Sequence, residues 1–213
     1  MTVRHHPEED LLLAHAAGAL DESMALIVAT HLCFCAQCRA TVALAEKVGG
    51  TLLDVIAPAP LAPDALARTL AQLDAPMPEQ ARPVSNDNTP LPLRRFLGRD
   101  LSQVGWRKMG PKLAYVPLTR RGGVSMRLLR GAPGTDVGRH GHKGMEYTLV
   151  LAGGFTDVTG SYGPGDFQTA SPDLRHNPIA DGDDSDCINL AVTTAPLRFE
   201  SVVQKIVGKL FGF

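Results

Sequence analysis

The chain has 213 residues, of which 44% are apolar, and it carries a formal net charge of −1. This length allows one large domain or two small ones, and the near-neutral charge argues against a nucleic acid or a membrane surface as the main partner. The charge is unevenly distributed, because residues 1–57 contain three basic and seven acidic side chains and the remainder is correspondingly positive. An acidic N-terminal region argues against a zinc finger that binds the phosphates of a nucleic acid. It favours a binding partner with a basic surface.

The N-terminus and the cysteine content indicate a cytoplasmic protein. Residues 1–18 lack the features of a secretory signal, and no stretch of the chain approaches the ~20 apolar residues of a membrane span. Thiols stay reduced in the cytoplasm. The four cysteines are therefore expected to be metal ligands or redox thiols rather than disulfide partners.

Residues 8 to about 56 are predicted to be helical. A first short helix covers EEDLLLAHAAGAL and ends near Gly18. A second helix is predicted to run without interruption from an N-cap at Asp21 to Gly49 and Gly50, because apolar residues recur at helical spacing.

One histidine and three cysteines lie close together in HLCFCAQC, residues 31–38. On a continuous helix His31 and Cys35 would share a face, and Cys38 would follow one turn later. These three side chains can therefore converge on one ion. Structural zinc sites usually have four nitrogen or sulfur ligands, so this segment predicts a zinc site that lacks one ligand.

The fourth ligand must come from another element, and His5, His6 and His15 are the candidates. His6 lies in the segment before the first helix, which can fold over the helices, whereas His15 lies on that helix and could instead pack against its neighbour. Cys33 would face the opposite side and is predicted not to bind the ion. Buried cysteines without a metal are the alternative, and a thioredoxin-like redox pair is disfavoured because no βαβ pattern surrounds these cysteines.

Residues 57 to about 92 are rich in proline and are predicted to be a linker. One segment within it differs, because Asp64 can cap a helix over ALARTLAQL in which Leu66, Leu70 and Leu73 share a face. So short a helix is not stable alone in water. We expect it to dock on a domain or on a partner.

Residues 93 to about 200 contain short apolar segments separated by glycine, proline and aspartate, a pattern typical of an all-β sandwich or barrel. The predicted strands are VSMRLLR, MEYTLVLAGGF, FTDVTGSY, DFQTA, DCINLAV and LRFES. The tail ESVVQKIVGKLFGF has Val202, Ile206 and Leu210 at helical spacing and is predicted to be a helix. The expected fold class is α+β in two domains, a small helical bundle followed by an all-β barrel.

A second constellation lies in GTDVGRHGHKGMEYTLVLAGG. Its spacing resembles the first motif of the cupin family, and the matching residues are Gly134, His140, His142, Glu146 and Gly153. Alternate residues of a strand face the same side, so both histidines are expected to point into the barrel. The glutamate follows closely enough to reach the same ion.

The usual fourth cupin ligand corresponds to His176, 30 residues after Glu146. Its motif, SPDLRH, departs from the common cupin form because it is one residue shorter and lacks the glycine. Three histidines and a glutamate can hold zinc, iron, manganese or nickel. Cys187 on a later strand is either an inert core cysteine or a redox-sensitive thiol near the barrel.

The N-terminal pattern resembles the zinc-binding anti-sigma domain, in which an upstream histidine precedes H-x3-C-x2-C. The matching residues here are His6, His31, Cys35 and Cys38. Together with the cupin pattern, the whole chain resembles the ChrR family of zinc-dependent anti-sigma factors. The resemblance implies a cytoplasmic repressor, not an enzyme, that binds zinc in both domains and clamps an extracytoplasmic-function sigma factor. It also implies that the cupin domain releases the sigma factor on an oxidative signal such as singlet oxygen.

The resemblance further implies the domain boundaries. Residues 1–85 would form the anti-sigma domain with a sigma-contacting helix at about 64–73, residues 86–92 the linker, and residues 93–213 the cupin domain. An enzyme is the competing interpretation: a metal-dependent cupin dioxygenase or isomerase with iron at the barrel ligands, and with the helical part as an oligomerisation module. Metal content and turnover of a small substrate would discriminate between the two.

Overall fold

A computed structural model describes residues 2–73, 89–182 and 185–199. Within these ranges, a helical region is followed by β-structure, as predicted. The helices are α1 (Glu9–Ala16), α2 (Glu22–Leu32), α3 (Ala36–Asp54), α4 (Ala65–Leu73) and α5 (Leu91–Leu97). No helix in these ranges combines the length and hydrophobicity that a bilayer crossing requires.

The structure differs from the sequence prediction around Cys33, where the predicted continuous helix is two helices. Asp21 caps α2 as expected, because its carboxylate accepts hydrogen bonds from two backbone N–H groups of the first turn, at 2.9 and 3.2 Å. α2 then ends at Leu32, and Cys35 adopts an extended backbone conformation as the N-cap of α3. The Cys35 Sγ accepts a hydrogen bond from the N–H of Cys38 at 3.4 Å. A residue that caps one helix cannot continue the helix before it.

The described β-strands pair in antiparallel fashion and build the predicted β-domain, called here the barrel. The strands are β1 (Arg107–Lys108), β2 (Leu113–Arg121), β3 (Val124–Gly131), β4 (His140–His142), β5 (Glu146–Ala152), β6 (Phe155–Asp157), β7 (Gly160–Tyr162), β8 (Phe167–Ala170), β9 (Arg175–His176), β10 (Ile179–Ala180), β11 (Cys187–Thr193) and β12 (Leu197–Phe199). In the described part of the chain, the largest sheet has the order β1-β2-β3-β11-β5-β8, and two smaller sheets have the orders β10-β6-β7 and β12-β4-β9. Every segment predicted as a strand contains one, whereas the long strand β2 and the two-residue strands β1, β9 and β10 were not predicted.

α2 joins the helical region to the barrel. Its side chains Ile27 and Val28 are fully buried and belong to one continuous hydrophobic core with Leu128, Leu190 and Val192 of the barrel. The helix contacts α1, α3, α5, β3 and β11. A helix that is apolar on most of its circumference is stable only when it is covered on several sides, which explains the composition of α2.

α5 packs against α2 and buries Leu93 completely. It begins at Leu91, so that the last residues of the predicted linker are helical. The predicted C-terminal helix lies outside the described residues.

Candidate metal centres and an exposed apolar surface

The four side chains predicted to bind the N-terminal zinc lie together. One donor atom from each of His6, His31, Cys35 and Cys38 lies within 4.8 Å of the others. The His6 Nδ1 atom is 3.3 Å from the Cys35 Sγ and 3.4 Å from the Cys38 Sγ. Tetrahedral zinc with nitrogen and sulfur ligands requires donor separations of roughly 3.3–3.8 Å. The two imidazoles and two thiols therefore fit a zinc ion.

These four residues come from three segments of the helical region. His31 lies in the last turn of α2, Cys35 is the N-cap of α3, Cys38 lies in the first turn of α3, and His6 precedes α1. The break between α2 and α3, rather than a shared helix face, brings His31 and Cys35 together. The N-terminus of α3 carries a partial positive charge, which complements an anionic group beside it.

Burial keeps two of these side chains uncharged in the absence of a cation. Burial lowers the pKa of His31 to about 4, although its hydrogen bond to a backbone carbonyl acts in the opposite direction. Burial is also the main reason that the pKa of Cys38 is raised to about 12, and the hydrogen bond with Cys35 adds to the effect. A metal that binds here must therefore displace the thiol proton of Cys38.

The other candidates lie outside this group within the described residues. The His5 ring packs against the Tyr162 ring, with the centroids 4.3 Å apart. His15 lies on α1, and burial lowers its pKa. Cys33 is exposed, and its Sγ is 3.7 Å from the carbonyl oxygen of Ala29. Of the three candidate histidines, the structure places His6 with the cysteines.

The four predicted barrel ligands form a second, buried group. One donor atom from each of His140, His142, Glu146 and His176 lies within 4.8 Å of the others. The Glu146 Oε2 atom is 2.9 Å from the His142 Nε2, 3.7 Å from the His176 Nε2 and 3.9 Å from the His140 Nε2. Strand pairing explains the arrangement, because His140 on β4 lies directly opposite His176 on β9. His176 therefore belongs to the group, although its motif, SPDLRH, departs from the common cupin form.

The imidazole rings of this group are held by their Nδ1 atoms, so that the Nε2 atoms face its centre. The Nδ1 atoms of His140 and His142 lie 2.8 and 3.4 Å from backbone carbonyl oxygens. The His176 Nδ1 lies 2.6 Å from the Oδ2 of Asp157, whose carboxylate is fully buried. Contacts of this kind fix the orientation and the tautomer of a metal-binding histidine.

Asp157 is a functional candidate that the sequence did not reveal. Burial alone would raise the pKa of its carboxyl group, but hydrogen bonds from His176, Thr159 and Gln168 outweigh burial and hold that pKa well below its usual range. Burial would conversely lower the pKa of His176, but its contacts with Asp157 and Glu146 raise that pKa to about 9. Two buried carboxylates beside the imidazoles give the site a negative potential that suits a cation.

A cavity of about 380 Å³ opens onto the barrel group. His140, Glu146 and His176 form part of its wall, and most of the remaining wall is apolar. The apolar residues that line it include Met109, Leu113, Leu129, Val137, Phe155 and Leu197. Zinc, iron, manganese and nickel can all accept the three nitrogens and one oxygen offered here, and the cavity has room for an exchangeable ligand beside such an ion.

Cys187 lies on the wall of the same cavity but is expected to be unreactive in the folded protein. Burial raises the pKa of its thiol to about 11, so that roughly one thiol in a thousand is ionised at pH 8. We expect iodoacetamide at pH 8 to modify the exposed Cys33 first, and Cys187 far more slowly, because its thiol is buried and almost fully protonated. Below pH 11, modification of Cys187 should accelerate about tenfold per pH unit, because the thiolate is the nucleophile. Mass-spectrometric mapping over time checks this, and equal rates at the two cysteines would indicate an activated Cys187.

Two helices present apolar faces that nothing in the described part of the chain covers. Six side chains at helical spacing are 51–75% exposed: Leu44, Val48 and Leu52 on α3, and Leu66, Leu70 and Leu73 on α4. Together they are called here the apolar face. α4 has no buried residue at all. Exposed apolar side chains that line one side of a helix are typical of interaction surfaces.

Comparisons with known proteins agree with this architecture. Residues 96–195 match a family model described as the ChrR cupin-like domain. Over 213 residues, which is 99% of both chains, the protein is 43% identical to the anti-sigma-E factor ChrR of Cereibacter sphaeroides. It also resembles the crystal structure of Rhodobacter sphaeroides SigE in complex with the anti-sigma ChrR, with a TM-score of 0.79 and 42% identity, covering 90% of this chain and 100% of that chain. The predicted family is confirmed, and the chain belongs to the ChrR family of anti-sigma factors.

Proposed function

We propose that this protein sequesters an extracytoplasmic-function sigma factor through its helical region and releases it when an oxidative signal acts on the barrel. The observation that carries the proposal is the apolar face of α3 and α4, which no described residue covers and which a partner could bury. The class of partner is suggested by the related ChrR, which was crystallised with SigE. Singlet oxygen is the signal that the family resemblance implies.

The charge of the helical region supports a sigma factor as the partner. Residues 1–57 carry seven acidic and three basic side chains. A protein that reads DNA presents basic surface, so an acidic clamp attracts it and accelerates their association. The same charge makes direct binding of nucleic acid by this chain unfavourable, and we place the protein in the cytoplasm with its partner.

We assign a structural zinc ion to His6, His31, Cys35 and Cys38. Four protein ligands complete a tetrahedron and leave no open position for chemistry. Such an ion would tie the N-terminal segment and α2 to the start of α3, and would thereby set the direction in which α3 presents its apolar face.

We assign the signal-responsive metal to the barrel group of three histidines and one glutamate. Zinc is the expected ion, although iron, manganese and nickel suit the same donors. In contrast to the helical site, this site opens onto a cavity, so that an ion held there can exchange a ligand. An accessible metal suits a sensor better than a structural role.

The proposed division of the chain follows from these roles. Residues 1–85 form the anti-sigma domain with its sigma-contacting helix at about 64–73, residues 86–92 the linker, and residues 93–213 the cupin domain. Because α2 shares its core with the barrel, the two domains are expected to be in contact while the sigma factor is bound.

Acidic substitutions in the apolar face test the proposal. We expect Leu52→Asp and Leu70→Asp each to weaken sigma-factor binding at least about 30-fold, since central interface side chains contribute roughly 2 kcal/mol or more. Folding should be unaffected, because both side chains are exposed in the free protein. Val158→Asp is the matched control, since Val158 is 75% exposed but lies on the barrel. Calorimetric titration with the purified sigma factor measures the effect, and unchanged affinity in both leucine variants would refute the assignment of this surface.

An enzyme is the second candidate function, and the cavity beside the barrel group is the observation that favours it. A cupin dioxygenase or isomerase would need the same four ligands and room for a small substrate. Iron in the purified protein together with oxygen-dependent consumption of a small molecule would favour the enzyme. Zinc and a stoichiometric complex with a sigma factor would favour the regulator.

A further inference from the structure

The first residues of the chain are held on the barrel by the connection between β7 and β8, Gly163–Asp166, called here the barrel turn. The Asp166 Oδ1 accepts hydrogen bonds from the backbone N–H groups of Arg4 and His5, at 2.6 and 2.9 Å. The carbonyl oxygen of His5 accepts a third from the N–H of Phe167, the first residue of β8, at 3.0 Å. Because Asp166 is buried, its bonds are charge-assisted and shielded from water. They hold the chain immediately before the first candidate zinc ligand.

The barrel turn also orients His31. The His31 Nδ1 lies 2.8 Å from the carbonyl oxygen of Gly165 and donates a proton to it, which leaves the lone pair on Nε2. Within the described residues the Nε2 has no hydrogen-bond partner, as expected for an atom that binds a metal. Gly165 has a φ of +90°, and a Cβ at this position would lie 2.7 Å from the Phe34 Cβ and 2.9 Å from the Val3 Cγ2. The turn is therefore packed directly against the helical region.

We propose that the barrel turn completes the N-terminal zinc site, with Asp166 and Gly165 as positioning residues for the ligands His6 and His31. The proposal rests on the zinc site assigned above. Both cysteine ligands belong to the start of α3, whereas the histidine ligands come from two other segments, and the barrel turn contacts both of these segments. A displacement of this turn would therefore loosen the zinc site by shifting its two histidine ligands.

The test uses the full-length protein loaded with Co²⁺ in place of zinc. Cobalt bound by thiolates has a charge-transfer absorption that cobalt bound by imidazoles and a carboxylate lacks, so this absorption reports the helical site and not the barrel site. Asp166→Ala removes both hydrogen bonds to the N-terminal segment, and we expect a chelator to extract this cobalt 10–100-fold faster than from the wild type. Asp166→Asn retains an acceptor oxygen and should restore much of the retention. Asp173→Ala, at an exposed position between β8 and β9, should match the wild type.

Arg4→Pro tests the same contact from the other side, because it deletes one donated N–H and leaves every barrel residue unchanged. We expect it to accelerate cobalt loss as well. If Asp166→Ala cannot be purified, Arg4→Pro decides the outcome, and cobalt release from it at the wild-type rate then overturns the proposal. Cobalt release at the wild-type rate from both Asp166→Ala and Arg4→Pro would overturn the proposal. A wild-type protein without thiolate charge-transfer absorption would instead refute the zinc site itself, so the two failures are distinguishable.

Discussion

Cys38→Ser is expected to remove the zinc ion proposed for the helical region and to abolish sigma-factor binding. Serine is similar in size, but its hydroxyl does not ionise near neutral pH and is a poor zinc ligand. A structural zinc contributes roughly 10–16 kcal/mol of apparent binding free energy, which exceeds the ~5 kcal/mol of stability at the lower end for a small domain. Without the ion, α1 and α3 should lose their arrangement, and with it the apolar face. Zinc analysis should find about one ion per chain fewer than in the wild type, and the sigma factor should no longer copurify.

Cys33→Ser is the matched control, because the same substitution is made at an exposed cysteine outside the ligand group. We expect it to change the free energy of unfolding by less than ~0.5 kcal/mol and to leave the zinc content unchanged. Sigma-factor binding by Cys38→Ser at wild-type affinity would show that Cys38 is not a ligand on which the domain depends.

Glu146→Ala is expected to give a repressor that holds the sigma factor but does not respond to oxidative stress. Glu146 contacts all three barrel imidazoles, so its loss removes a negative charge from the centre of the predicted metal site. Shifting the ratio of the released to the sigma-bound state from about 1:99 to 99:1 requires a change of roughly 5.5 kcal/mol in their relative free energy. Chemistry at a held metal ion can supply that amount, whereas a small change of contact cannot. A reporter driven by the partner sigma factor, read with and without photosensitiser and light, should stay at its repressed level.

The structure offers a physical connection for this response. From the barrel ligand His176, hydrogen bonds run through Asp157 and Thr159 to the hydroxyl of Tyr162, with lengths of 2.6, 2.6 and 2.8 Å. The Tyr162 ring packs against His5 in the N-terminal segment. These contacts connect the barrel group to the N-terminal segment, which carries the candidate zinc ligand His6.

Controls for the barrel variant follow from the same geometry. His142→Ala should behave like Glu146→Ala, whereas Asp173→Ala should respond to light as the wild type does. These full-length variants are a cleaner test than truncation after residue 85, because truncation would expose Ile27 and Val28 of the shared core. Full induction by Glu146→Ala in light would place the sensor elsewhere, and induction in darkness would make metal loss itself the trigger.

The candidate ligands could be located from sequence because their spacing is local. The barrel histidines, His140 and His142, alternate on one strand, and Glu146 follows within one short turn. In the helical site, the structure brings the four predicted residues together, but the predicted geometry is wrong: Cys35 meets His31 through a helix break and not through a shared face. That these eight residues bind metal stays a prediction.

Other features could not be predicted because their causes are not local. β2 contains Pro117, which reads as a strand breaker, and the strand accommodates it at a shift of register against β3. Asp157 and Asp166 look like ordinary turn residues, and only folding brings them to His176 and to the N-terminal segment.

The long separation in sequence between the N-terminal segment and the barrel turn has a consequence for synthesis. His31 and Gly165 are 134 residues apart, and Arg4 and Asp166 are 162 apart. At an elongation rate of about 5–20 residues per second, the ribosome needs roughly 7–27 s after translating His31 to reach Gly165. Contacts between residues so far apart in the sequence also form late in folding. A nascent chain therefore carries its cysteines and its apolar face for many seconds before the barrel that supports them exists, and each copy becomes a complete repressor only near the end of its own translation.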